Sequence, residues 1–206
     1  MGFIEDRKWR SIVVTASPNV EASIDFYKTL GFQHLISNEI NYFIDGVYAI
    51  EIANSSEMRS GIKLFQDSWK EEVVQLKSIT EIIESDEGYL LYDFSGIQIM
   101  LVEGVEPFSS EGAAPSDLGK IAGVSLEGLS IVGMKSVWEI LGFNQTMGDG
   151  NNWISLSNSD QFTISLMKYG SCPHLFYNPS LTYFNGSDNM QIIKNLRNKN
   201  IDITEE

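Results

Sequence analysis

The sequence predicts an α+β protein built from repeated units of one strand, one helix and three further strands. β-Branched, strand-like runs alternate along the chain with segments of helical spacing. The order strand, helix, strand, strand, strand then begins again several times, and the tripeptide Leu-Gly-Phe, at Leu30, returns 111 residues later at Leu141. A repeated order constrains the whole architecture more than any local motif does.

The first unit begins with a β-branched run over residues 10–16. Ser17-Pro18-Asn19 then predicts a helix start, with Pro18 in the first turn. Apolar residues continue at helical spacing, and Gly31 is placed where a left-handed residue would end the helix. Three strands are predicted after it, with a turn at Asp45-Gly46 between the last two: residues 32–37, 41–45 and 47–53.

The second unit repeats this order. Residues 61–66 read as a strand, and Ser68 with Glu71 predicts a capping box at the start of a helix. Three further strands follow at residues 80–84, 88–94 and 97–103.

A stretch rich in Pro, Gly and Ser then predicts a linker. The third unit follows with a strand, a helix and two strands at residues 121–126, 132–141, 152–158 and 161–167. The fourth unit has a strand at residues 181–184 and a helix at residues 188–198, and then stops short. We therefore expect two domains, at residues 1–105 and 120–206, joined by residues 106–119. Each domain pairs two units in a cupped mixed sheet with helices on its outer face, and the last unit is truncated.

Composition limits the class of partner. The chain carries 28 acidic and 14 basic residues, a net charge of −14, which repels nucleic acids and anionic membrane surfaces and suits a cationic ligand. The single cysteine, Cys172, cannot form an internal disulfide, and the chain has no signal peptide or apolar span, so we expect a cytoplasmic protein. Completion of the fourth unit by a partner chain is one alternative, which makes a homodimer possible.

Two segments resemble the vicinal oxygen chelate superfamily, which includes glyoxalase I, extradiol dioxygenases and bleomycin-resistance proteins. Residues 17–32 resemble its opening strand–helix signature, and residues 93–103 are similar to its closing strand. The resemblance implies paired glyoxalase-like βαβββ modules over nearly the whole chain. It leaves the activity open, because this fold carries lyases, dioxygenases and metal-free binding proteins.

The resemblance also implies a divalent metal held by four side chains of two paired modules. Those positions fall on Ile12, Glu51, Gly61 or a neighbour, and Met100. A divalent ion needs three or four nitrogen or oxygen donors, and here only Glu51 supplies one. We therefore expect no metal and no other cofactor. His34 and His174 lie away from these positions, and the second domain offers Gly123 and a hydroxyl-bearing last strand instead.

Strand alternation divides the faces of the first sheet. Ile50, Ile52, Ile62, Leu64, Ile97, Ile99 and Leu101 are expected to face the helices. Glu51 and Lys63 would then lie together in the cup, either as an ion pair in place of the metal or as hydrated side chains at an open mouth. The candidate ligand-binding residues are Glu51, Lys63, Phe65, Gln98, Met100, Tyr48, Trp153 and Ser165.

Three functions remain open at this point. The first is a metal-free protein that binds a small molecule, cationic or aromatic. The second is a metal-dependent lyase or dioxygenase with unorthodox ligands, and the third is a non-catalytic interaction module whose cup is filled by its own side chains. No nucleotide-binding loop, nucleophile elbow or zinc-spaced cysteine pair is present, so the sequence identifies no catalytic residue.

Overall fold

The computed structural model describes residues 11–46, 48–55, 59–105, 107–108, 113–171 and 178–201. Its first half contains β1 (Ser11–Ser17), α1 (Val20–Thr29), β2 (Gln33–Ser37), β3 (Ile40–Asp45), β4 (Tyr48–Asn54), β5 (Gly61–Gln66), α2 (Lys70–Leu76), β6 (Ile82–Ser85), β7 (Gly88–Tyr92) and β8 (Gln98–Glu103). Its second half contains β9 (Ile121–Gly128), α3 (Ile131–Ile140), β10 (Asn144–Gly148), β11 (Trp153–Ser157), β12 (Thr163–Lys168), β13 (Ser180–Tyr183), a 3₁₀ turn (Gly186–Asp188) and α4 (Asn189–Asn198).

The first sheet has eight strands in the order β2-β3-β4-β1-β5-β8-β7-β6. Within each unit the first strand is parallel to the last, β1 to β4 and β5 to β8, and the two units join through the antiparallel pair β1 and β5. The predicted repeat of strand, helix and three strands is therefore confirmed for this half.

The second sheet has five strands in the order β10-β11-β12-β9-β13. β9 is parallel to β12, as in the first two units, and β13 pairs antiparallel with β9 as the first strand of the fourth unit. The sequence analysis missed β10. All five of its residues are exposed, so it lacks the apolar alternation on which the prediction of strands depends.

The helix ends follow the sequence at some positions and depart from it at others. Asn19 caps α1 by accepting a hydrogen bond from Ala22 N, so Pro18 precedes the cap instead of lying in the first turn. The capping box of Ser68 and Glu71 was a wrong prediction. The cap position of α2 is Trp69, whose backbone N–H donates to Glu103 Oε1 and whose indole donates to Val102 O at 3.0 Å.

Gly31 ends its helix as predicted, and Gly142 ends another in the same way. Gly31 follows α1 with φ of 84° and Gly142 follows α3 with φ of 87°. This left-handed conformation costs glycine little and other residues more, which explains the repeated Leu-Gly-Phe tripeptide.

The helix-facing sides of the two sheets share one apolar core. Ile50, Ile62 and Ile99 of the first sheet belong to the same buried cluster as Val124 and Leu166 of the second. The α+β architecture with helices on the outer side of cupped sheets is confirmed, while the exact domain limits stay a prediction. Within the described residues, no helix is both long and apolar enough to cross a membrane.

Candidate ligand site in the cup of the first sheet

Glu51 of β4 and Lys63 of β5 form an ion pair on the face of the first sheet that points away from the helices. Lys63 Nζ donates to both Oε1 and Oε2 of Glu51 at 2.8 Å. The Glu51 side chain is 5% exposed and that of Lys63 is 14% exposed. The predicted ion pair is therefore confirmed, and the alternative of two merely hydrated side chains is wrong.

Tyr42 completes this polar centre. It lies directly opposite Glu51 in the register of β3 and β4, which brings its hydroxyl close to the Glu51 carboxylate. Burial raises the pKa of Tyr42, and the charge and hydrogen bond of Glu51 raise it further. Glu51 thus receives an ammonium and a phenolic donor, which offset the cost of burying its charge.

Tyr42 was not among the residues predicted for this site. A usable signal was present in the turn between β3 and β4. Pairing Asp45 with Tyr48 across that turn fixes the register and brings Tyr42 opposite Glu51. The assumption of a two-residue hairpin turn would therefore have been enough to predict that Tyr42 lies opposite Glu51.

Apolar and weakly polar side chains surround the ion pair. Ile12 lies beside Lys63 in the register of β1 and β5, and Met100 lies beside it in the register of β5 and β8. The buried apolar residues on this face form their own cluster: Ile12, Tyr42, Ile44, Ala49 and Phe65. We call this cluster, together with Glu51, Lys63, Gln98 and Met100, the first cup. The predicted division of strand faces is confirmed, and the ligand-binding roles of Phe65, Gln98 and Met100 stay predictions.

Part of the connecting segment between the two sheets lies over the first cup. The ring of Phe108 is 4.6 Å from the ring of Tyr42, and Ala113 packs against the same cluster. Ser37 Oγ donates to Pro107 O at 2.7 Å and holds the segment to the edge of the sheet.

The other three candidate residues lie elsewhere. Tyr48 belongs to the core between the sheets, where its hydroxyl accepts a hydrogen bond from Thr163 N at 3.1 Å. Its expected place among the cup residues is wrong, because strand alternation puts Tyr48 on the same face as Ile50. Trp153 and Ser165 lie in the second sheet, on a different surface from Glu51 and Lys63.

That second surface carries a row of hydroxyl groups. Ser155, Ser165, Ser125 and Ser180 lie side by side across four strands. In addition, Ser125 Oγ and Thr182 Oγ1 are 2.6 Å apart. The described part of this surface therefore matches the predicted hydroxyl-bearing face.

The residues of the first cup do not fit a divalent metal. Ile12 and Met100 offer no suitable donor, and a Cβ at Gly61 would lie 2.3 Å from Gln98 O, so no larger side chain fits there without a shift of the backbone. The neighbouring position on the same face is Lys63, a cation that already engages Glu51. In the described part of the chain, no group of three or more His, Cys, Asp and Glu side chains could hold a metal.

His34 lies outside this site. His34 packs on Phe43, with the ring centroids 4.7 Å apart, and its Nε2 is 2.8 Å from Asn41 Oδ1. It is a packing residue on the helix-facing side. His174 and Cys172 lie outside the described residues.

Three solved structures share this architecture. BphC, a halotolerant catechol dioxygenase, superimposes with a TM-score of 0.59 at 12% identity, over 96% of this chain and 77% of its own. The Mn(II)-bound glyoxalase from Novosphingobium aromaticivorans gives 0.58 at 16% identity, over 96% and 73%. A catechol 2,3-dioxygenase gives 0.57 at 13% identity, over 94% and 76%.

The chain has the fold of glyoxalases and catechol dioxygenases. The resemblance found in the sequence is thereby confirmed at the level of the fold, and identities this low extend it no further. Neither a protein-family model nor a curated protein matches the sequence.

Proposed function

We propose that this protein binds a small molecule in the first cup without a metal ion, with the Glu51–Lys63 pair as the polar anchor. The observation that carries the proposal is the ammonium of Lys63, which engages the one metal-ligand position that still holds a carboxylate. An ammonium has three N–H donors, and two of them point to Glu51. Because Lys63 has no further acceptor among the described residues, its third donor can bind an oxygen of the ligand.

The surroundings favour an aromatic ligand with an uncharged acceptor oxygen. Ile12, Ala49 and Phe65 supply apolar contacts, and Tyr42 and Phe108 supply aromatic ones. The net charge of −14 works against an anion. A cationic ligand is the alternative, but the charge of Glu51 is already compensated by Lys63 and by the hydroxyl of Tyr42.

One observation favours a second candidate function. Phe108 covers Tyr42, so a cup filled by the protein's own connecting segment would suit a non-catalytic interaction module. A metal-dependent lyase or dioxygenase with unorthodox ligands is the third candidate. It receives less support, because the Gly61 position has no room for a ligating side chain.

NMR of ¹³C-methyl methionine tests the proposal. Of the seven methionines, Met100 lies beside Lys63, whereas Met134 is buried in the shared core and Met190 is exposed. Benzamide, benzoate and benzyltrimethylammonium would be titrated separately. We expect benzamide to shift Met100 while Met134 and Met190 stay in place, with a Kd on the order of millimolar for a fragment of this size.

A matched pair of double variants isolates the anchor. Glu51→Leu with Lys63→Leu should abolish the benzamide shift at Met100. Lys135→Leu with Glu139→Leu removes an exposed ion pair of α3 and should leave the shift intact. If none of the three probes shifted the Met100 signal, the proposal would be overturned in favour of a cup filled by the protein's own side chains. A shift with benzyltrimethylammonium alone would indicate a cationic ligand. Selective broadening of Met100 by Mn²⁺ would instead support the metal-dependent candidate.

A further inference from the structure

A second cavity lies on the opposite face of the first sheet, where that sheet meets β13. Its volume is about 460 Å³, which is within the range of small-molecule sites. Most of its lining is apolar and comes from β1, β13, the connecting segment and the residues that follow α1 and α4: Val13, Leu30, Phe32, Leu118, Leu181 and Ile201. No charged side chain is part of the described lining.

Tyr27 supplies the cavity with a hydrogen-bonding group. Its ring is fixed by Phe43 at 5.0 Å and by Phe32 at 5.1 Å. Its hydroxyl makes no hydrogen bond with the described residues, and burial raises the pKa of Tyr27. The other lining tyrosine, Tyr183, already donates its hydroxyl proton to Asp45. Tyr27 is partly buried and lines the cavity, so its hydroxyl is available to exchange a hydrogen bond with a bound ligand.

The internal repeat gives a reference for this cavity. Asp45 is the last residue of β3, and Asp93 directly follows β7, the corresponding strand of the second unit. Asp93 accepts a hydrogen bond from the indole of Trp138, which is wholly buried and packs on Phe143 at 5.1 Å. At the corresponding place Asp45 accepts a hydrogen bond from the smaller Tyr183, and here the cavity is present.

We propose that this cavity binds an uncharged, mainly apolar small molecule that exchanges one hydrogen bond with Tyr27. The ligand is uncharged because the lining offers no charge to compensate one, and burying an uncompensated ion is costly. The site is separate from the first cup, since β1 and β4 lie between them and present Val13 and Ile50 to the cavity.

Fluorescence of two matched probes tests this site. N-Phenyl-1-naphthylamine is neutral and carries one N–H donor, and 8-anilinonaphthalene-1-sulfonate has the same rings with an added sulfonate. We expect the neutral probe to bind with a stoichiometry of one. The sulfonate should bind at least about tenfold more weakly, because the cavity has no cation for it and the protein has a net charge of −14.

Variants locate the bound probe. Leu181→Trp and Ser60→Trp fill the cavity from a strand and from a loop, and each should weaken binding of the neutral probe at least about tenfold. Tyr27→Phe should weaken it about two- to tenfold, the usual effect of one hydrogen bond. Val132→Trp adds the same side chain at a position that is 75% exposed and should change nothing. Thermal unfolding identifies any variant that fails to fold, and either filling variant is sufficient for the test.

Several results would overturn this proposal without affecting the first one. One is that the neutral probe does not bind, and another is that both probes bind equally well. A third is that the neutral probe still binds to a folded Leu181→Trp or Ser60→Trp variant. Glu51→Leu with Lys63→Leu should leave binding of the neutral probe unchanged. Loss of binding in that variant alone would place the probe in the first cup and would also overturn the inference.

Discussion

Asp45 accepts a hydrogen bond of 2.5 Å from the hydroxyl of Tyr183, which lies 138 residues later in the chain. The same carboxylate accepts from Ser116 N at 2.6 Å and from Ser116 Oγ at 2.8 Å. Asp45 is 1% exposed, so these donors replace its lost hydration. One buried carboxylate thus joins the first sheet, the connecting segment and β13.

Replacing Tyr183 tests how much this junction stabilises the protein. Tyr183→Phe removes one of three donors to a buried carboxylate, and we expect the free energy of unfolding to fall by about 1–3 kcal/mol. Urea denaturation followed by circular dichroism measures the change. Tyr169→Phe is the control, because Tyr169 is 70% exposed and its loss should cost less than about 0.5 kcal/mol. Equal stability of the two variants would show that the Asp45–Tyr183 contact contributes little.

Asp93 should make stability depend on pH in an unusual direction. Burial raises the pKa of Asp93 above its ordinary value of 3.8, and hydrogen bonds from Ser95 and Trp138 offset this in part. A raised folded pKa means that the contribution of Asp93 is most favourable below the unfolded pKa and is lost as the pH rises through the folded pKa. Asp93→Asn keeps an acceptor oxygen and lacks this titration. Its stability relative to the wild type should therefore increase from pH 4 to pH 7, by about 1.4 kcal/mol for each pKa unit between the folded and unfolded states.

Asp149 provides the opposite case. It is fully exposed, and backbone N–H groups of Asn151 and Asn152 lower its pKa. Its contribution is present above the unfolded pKa and is lost on acidification, so Asp149→Asn should become relatively less stable as the pH rises. Urea denaturation at several pH values from about 2 to 7 compares the two variants, since the change at Asp149 falls mainly below its unfolded pKa and that at Asp93 mainly above. Parallel pH profiles for both would contradict the assignment of these shifts.

The sequence predicted the features that depend on local periodicity. Alternation of side chains placed Glu51 and Lys63 on one face and Ile50 and Ile62 on the other, because a strand has a period of two. The same rule, applied to Tyr48, would have put it in the core with Ile50.

The features that the sequence did not predict depend on contacts between distant segments. Trp69 takes the cap position of α2 because Glu103 and Val102 of β8 accept its hydrogen bonds, and these override a suitable local capping pattern. The ring contact between Phe108 and Tyr42 joins positions far apart in the chain, and so does the hydrogen bond from Tyr183 to Asp45. Sequence spacing therefore cannot predict either contact. The internal repeat predicts which strands pair within a unit but not how the two sheets pack.

Lys63 should stabilise the protein by compensating the buried charge of Glu51 in the first cup. Lys63→Leu leaves the Glu51 carboxylate buried with the hydroxyl of Tyr42 as its one remaining partner among the described residues. We therefore expect a loss of about 3–5 kcal/mol in the free energy of unfolding at pH 7. The double variant with Glu51→Leu should lose clearly less, because no unpaired charge remains and apolar side chains of similar volume replace the pair. Chemical denaturation of the wild type, both single variants and the double variant gives the coupling energy. Lys135→Leu is the exposed control and should cost less than about 1 kcal/mol. If the double variant proved as unstable as the sum of the single ones, Glu51 and Lys63 would contribute independently, and the pair could not be the anchor proposed for the ligand.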